Sequence, residues 1–129
     1  IWEFDVPLFG KQPKSGHGPE AFGDQVYSAL RLENGNTLIG TGNGHSVLEV
    51  TPDKEVIWKL DQHDLPGITL AWVTQVRRLR NGNTLFVNCH AGPKNPQIIE
   101  VTPDKEVVWT YRDFELFGNA LPVAVVETE

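Results

Sequence analysis

The octapeptide TPDKEVIW at residues 51–58 returns as TPDKEVVW at 102–109, with Val108 in the place of Ile57. A near-copy of that length constrains the fold more than any other feature, because it requires one structural unit to be built at least twice. Flanking matter repeats with it. LRLENGNTLIGT (30–41) stands upstream of the first copy and RRLRNGNTLFVN (77–88) upstream of the second. The Asn-Gly-Asn triplets are 47 residues apart and the TPDKEV stretches 51 apart, so the unit holds two landmarks in fixed order. A weaker third trace is IWEF at 1–4, where Trp2 occupies the place of Trp58 and Trp109.

Apolar residues alternate with polar ones and β-branched residues are frequent, a pattern of strands. Four strands are expected per unit: A, B, C and D at 25–32, 36–41, 46–51 and 54–60, then at 72–79, 83–88, 97–102 and 105–111. Asn-Gly between A and B predicts a two-residue type I′ hairpin. Pro-Asp-Lys between C and D predicts a second tight turn, because proline presets φ and aspartate bonds nearby backbone. No helix is expected. Each unit is then a four-stranded antiparallel meander, too small to bury both faces unless copies stack about a common axis.

A strand, NGNTL, a second strand and VLEVTPDKEVIW together resemble the blades of the quinoprotein-like (PQQ-like) β-propeller repeats, and are also similar to arylsulfotransferase-type and NHL-type blades. The resemblance covers nearly the whole chain and implies an all-β propeller architecture. It divides the chain into strand D of a preceding blade (1–4), a blade at 25–60, a blade at 72–111, and strand A of a following blade (119–129). It also implies that Trp2, Trp58 and Trp109 pack between neighbouring blades. Because propellers close with about four or more blades, the chain reads as a segment of a longer propeller, or as a unit that self-associates through its terminal strands. It starts at Ile1 inside a repeat element and has no methionine, which reads as a processed product or a piece of something longer. The resemblance favours a secreted or periplasmic setting.

Charge and composition narrow the partners. A net charge of −6 argues against nucleic acid, since phosphate binding needs clustered cations, and Arg77, Arg78 and Arg80 are split between strand faces by alternation. No apolar run approaches the roughly 20 residues of a membrane helix. One cysteine, Cys89, leaves no internal disulfide.

Antiparallel order places the A–B and C–D turns on one rim of the stack and the B–C and D–A loops on the other. The second rim carries the D–A loops 5–24, 61–71 and 112–118 and the B–C loops 42–45 and 89–96. His17, His45, His63, His90 and Cys89 all fall there. Binding residues collect on such loops, so His45, His63, Trp72, Cys89 and His90 are the expected ligand-binding set. Cys89 and His90, on a loop stiffened by Pro93 and Pro96, would suit a divalent metal such as zinc or copper. Trp72 would line the central funnel, stacking on a sugar or quinone ring, or close the core. Asp61 or Asp64 would orient His63 were it an acid or base. Gly42 and Gly44 connect strands and open no helix, so they form no phosphate loop.

These features predict a binding or interaction module that presents a histidine-bearing loop face to a small-molecule or glycan ligand. The alternative is part of a propeller enzyme, a quinoprotein-like oxidoreductase or an arylsulfotransferase-like enzyme with His90 or His45 in the reaction. PQQ-holding relatives commonly use paired cysteines and a calcium-binding carboxylate set, and the single Cys89 departs from that pattern.

Overall fold

The computed structural model describes residues 1–119 and 122–128. All eight expected strands form, most of them shortened at their ends. They are β1 (Ser28–Arg31), β2 (Thr37–Gly40), β3 (Val47–Val50), β4 (Val56–Leu60), β5 (Val73–Arg78), β6 (Thr84–Asn88), β7 (Ile98–Val101) and β8 (Val107–Tyr111). They make two separate four-stranded antiparallel sheets, ordered β1-β2-β3-β4 and β5-β6-β7-β8. One helix was not expected: a single turn, α1 (Phe114–Phe117), lies in the 112–118 connection. The carboxylate of Asp113 caps it by accepting from the Leu116 amide at 3.0 Å.

The copies match in detail. Glu49 pairs with Trp58 and Val50 with Val56, so Ile57 is an extra residue that bulges outward; in the second sheet Glu100, Trp109, Val101 and Val107 do the same around Val108. The hairpin turns also repeat, but not as type I′. Gly35 N–H donates to Leu32 O and Leu32 N–H to Asn36 O, enclosing three loop residues, and Gly82, Leu79 and Asn83 repeat this geometry. Positive φ falls on Gly35 and Gly82, both at 90°, and not on the asparagine before them. This is a three-residue loop closed by a glycine bulge. The asparagines serve differently: Asn34 Oδ1 accepts from Asn36 N–H and Asn81 Oδ1 from Asn83 N–H, each at 2.9 Å. The β3–β4 and β7–β8 turns use the same geometry with Lys54 (φ 68°) and Lys105 (φ 66°) in the left-handed position.

The main core lies between the sheets. Leu38, Val47 and Leu60 of the first sheet meet Val73, Phe86, Ile99 and Val101 of the second, with Leu65 and Leu70 from the connecting loop. β5 comes close to β2, and Gly40 permits it, because a Cβ there would collide with Thr74 O. Glu49 lies 2.8 Å from Arg78 Nη2 across the same interface, an ion contact and not an aligned hydrogen bond. The opposite face of the first sheet packs Ile39, Leu48 and Val50 against Trp2, Phe4 and Val6.

Residues 1–6 therefore occupy, against the first sheet, the position that β4 occupies against the second. Trp2 Nε1 donates to Pro52 O at 2.8 Å, and Trp58 Nε1 donates to Pro103 O at 2.9 Å. Residues 122–128 relate to β5 as β5 relates to β1: Ser28 Oγ donates to Thr74 O, and Gln75 exchanges bonds of 3.0 and 2.8 Å with the backbone of Val123. Both terminal segments alternate between inward and outward side chains, but neither forms a ladder. Of the expected terminal strand 119–129, positions 120, 121 and 129 lie outside the described residues. Trp109 departs from expectation. It is 46% exposed and stacks only on Tyr111, because no third proline turn stands opposite its indole among the described residues.

Candidate functional site

The loop rim is held by side-chain amides, of which Asn88 is buried, and one imidazole. Asn88 Oδ1 accepts from Ala71 N–H at 2.7 Å while its Nδ2 donates to Thr69 O and Pro96 O. Asn95 Oδ1 accepts from Thr69 N–H, and Gln62 Nε2 donates to Pro19 O and Leu70 O. Three long connections are thereby tied together. Each bond satisfies backbone that a loop would otherwise leave unpaired.

His45 is the centre of this arrangement and not a ligand contact. It is 1% exposed and sits at φ 55° in the Gly-Asn-Gly-His turn. Its Nδ1 accepts from Trp72 N–H at 3.0 Å, which leaves Nε2 to carry the proton and donate to Ala21 O at 2.5 Å. Burial pulls its pKa below the ordinary histidine value, against the opposing pull of the Ala21 carbonyl. One side chain thus joins the 5–24 loop to the residue that opens β5.

That residue, Trp72, also has positive φ, at 55°. Its carbonyl accepts from Cys89 N–H at 3.1 Å, and Ala71 O accepts from His90 N–H at 2.9 Å, so Trp72 and His90 are placed side by side. On the third side, Lys14 and Phe22 exchange backbone bonds of 2.8 and 2.9 Å, forming a small hairpin within the 5–24 loop that holds His17. The three rings meet. Centroids are 5.8 Å apart for His17 and Trp72, which stack at 18°, 6.1 Å for His17 and His90, and 5.9 Å for Trp72 and His90.

They border a cavity of about 520 Å³ whose remaining walls are Tyr27, Cys89, Thr74, Gln75 and Pro122. Among the described residues, no Asp, Glu, Lys or Arg side chain lines it. Trp72 Nε1 and His90 Nδ1 are buried and find no hydrogen-bond partner among the described residues. Leaving such groups unpaired costs about 1–3 kcal/mol each. Burial, and then the nearby charge of His17, hold the His90 pKa below its ordinary value.

The expected ligand-binding set therefore divides. Trp72, Cys89 and His90 come together; His45 stands behind Trp72 as a structural bridge. His63 stands apart and exposed on the Asp61–Asp64 turn. Its supposed orienting carboxylates face lysines instead: Asp61 lies 3.4 Å from Lys59 and 3.7 Å from Lys11, and Asp64 3.6 Å from Lys105. The Lys105 contact links the 61–64 turn to the β7–β8 turn, which strict alternation assigns to the opposite rim. His63 does not line the cavity that His17, Trp72 and His90 border. The metal pair acquires no third ligand: no group of three or more His, Cys, Asp or Glu able to hold an ion exists among the described residues. Cys89 is a thiol whose pKa is raised by burial and which donates to Asn119 O at 2.7 Å. His17, Tyr27, Thr74, Gln75 and Pro122 are cavity residues outside the expected set.

No family model and no curated protein matches the chain. Among solved structures it is similar to the crystal structure of a protein of unknown function from Bacteroides caccae, at 25% identity and a TM-score of 0.63. The match covers 73% of this chain and 37% of that one, so this chain spans well under half the length of the protein it matches.

Proposed function

We propose that the two sheets are consecutive blades of a β-propeller-type scaffold, and that the protein is a binding module holding a small ligand between His17, Trp72 and His90. The scaffold reading is supported by the repeated Trp2–Pro52 and Trp58–Pro103 bonds. A third copy of that bond would cover the exposed Trp109, as further repeats or another repeat-bearing chain would do. One observation carries the functional reading: the rings of His17, Trp72 and His90, with centroids 5.8 to 6.1 Å apart, border one cavity of about 520 Å³. Such a cluster of aromatic faces in a concave site suits a small ligand that packs against rings.

The test is a fragment screen followed by NMR of the tryptophan indole N–H groups, with Trp72→Phe identifying the Trp72 signal. Bound fragments are expected to shift that signal ahead of those of Trp2, Trp58 and Trp109. Fragments that bind only elsewhere would defeat the proposal.

A further inference from the structure

Resting on the binding-module reading, we propose that the cavity bordered by His17, Trp72 and His90 takes an uncharged ring compound with a largely apolar body, in preference to ions and sugars.

The walls select this class by what they lack. Among the described residues no acidic or cationic side chain other than the two imidazoles lines the cavity, and burial holds His90 below the ordinary histidine range. A ligand charge drawn in here would lose water and meet no opposite charge. Hydroxyl-rich rings fare no better. The Gln75 amide already exchanges bonds with the Val123 backbone, and the Cys89 thiol donates to Asn119 O. Trp72 Nε1 lies below the surface, so Trp72 offers a ligand its ring face and no donor. A sugar would bring several hydroxyls to these walls, and each one left unpaired would weaken binding by roughly tenfold. An apolar ring escapes both penalties. Its burial against Trp72, Cys89 and Pro122 is favourable, and contact between rings adds to that. One polar substituent is accommodated beside Tyr27, which is 61% exposed, because there it keeps its water.

Across the wall the chemistry reverses. His17 and Trp72 also border a second cavity, of about 410 Å³, whose lining includes Lys14, Asp24, Gln25 and Asn43. Lys14 and Asp24 thus stand on one side of the shared His17–Trp72 pair, and no such charge stands on the other among the described residues. An ion or a sugar that reaches this rim finds its polar partners in the second cavity.

NMR titrations at about pH 8, where an ordinary imidazole has lost its proton, test this with naphthylmethanol, naphthylmethylammonium, naphthoate and methyl glucoside. The backbone amides of Thr74, Gln75 and Cys89 report the first cavity, and those of Ser15, Gly16 and Asp24 the second. The alcohol is expected to shift the first group and to bind there at least about tenfold more tightly than either ion. Methyl glucoside should leave that group unmoved over the same concentrations. Alcohol and ammonium share one outline, so their difference isolates charge. A smaller advantage over either ion, a shift of the first group by the glucoside, or an alcohol that leaves that group unmoved while fragments shift Trp72 would each overturn the proposal. Ions or glucoside shifting both the Trp72 indole and the first group would remove the uncharged class and leave the binding module standing. Failure of all four compounds and of every fragment to shift Trp72 removes both.

Discussion

Replacing His45 by alanine tests the bridge on which the loop rim depends. The imidazole receives Trp72 N–H and donates to Ala21 O in a setting closed to water. Its loss leaves one buried donor and one buried acceptor, at about 1–3 kcal/mol each, and alanine at φ 55° carries strain similar to that of histidine, so a loss of about 2–6 kcal/mol is expected. Protonation acts on the same bond. A proton on Nδ1 would set two donors against each other, and burial already holds the folded-state pKa below the ordinary value. The unfolded chain then binds more protons than the folded one below about pH 6.5. The bridge's contribution is complete above that point and is lost as pH falls toward the lowered folded value, at up to about 1.4 kcal/mol per pH unit. Urea unfolding of wild type and His45→Ala between about pH 5 and 8 measures both effects. His90 has a lowered pKa as well, but it titrates in both proteins, so the difference between them isolates His45. That difference should be largest near pH 7.5 and shrink on acidification. A deficit below about 1 kcal/mol near pH 7.5, or one that widens in acid, would rule out the bridge.

Three further outcomes follow from the repeats and the cavity. Lys54→Gly and Lys105→Gly relieve left-handed backbone at matching turns, so each should raise stability by about 0.5–1 kcal/mol, and the two should add, as urea midpoints will show. Trp58→Phe removes the donor to Pro103 O and should cost about 1 kcal/mol or more in the same assay, while Trp109→Phe, whose indole reaches no such acceptor among the described residues, should cost only a few tenths. Cys89 should react with iodoacetamide well below the rate of an unfolded-chain thiol near pH 8, because burial keeps it protonated; equal rates in native and urea-unfolded protein would contradict this.

The strands were legible because alternation has period two and each copy repeated it, and Trp2 was legible as the counterpart of Trp58, whose bond to a proline turn it repeats. The turn type was not. Asn-Gly permits positive φ at both residues, but pairing of Leu32 with Asn36 closes a three-residue loop and gives the left-handed place to glycine alone. The helix turn at Phe114–Phe117 is too short to show a period of 3.6 and depends on the Asp113 cap. At the candidate site, the sequence brought Trp72, Cys89 and His90 to attention through their loops. It could not separate His45 from them, because position in a loop does not say whether a side chain turns toward water or back into the scaffold. His17 was hidden for a related reason: its place depends on the Lys14–Phe22 pairing inside a loop with no strand pattern.

The tryptophans take this argument furthest. Trp58 and Trp109 stand in the same octapeptide, beside the same bulge, opposite Glu49 and Glu100 in identical register. One is bonded to the next proline turn and the other is open to solvent. A copied sequence transmits everything determined within the unit, such as register, bulge and turn strain. Burial is determined by what lies beyond the unit, so equal residues in equal copies acquire unequal energies. The same reasoning applies to the rim. His45 and Cys89 begin from corresponding B–C loops, yet the short loop folds inward to hold Trp72 and the longer one delivers His90 to the cavity. Repetition shaped the two sheets, whereas the candidate site draws on loops that differ between the copies, 5–24 with His17 and 89–96 with His90.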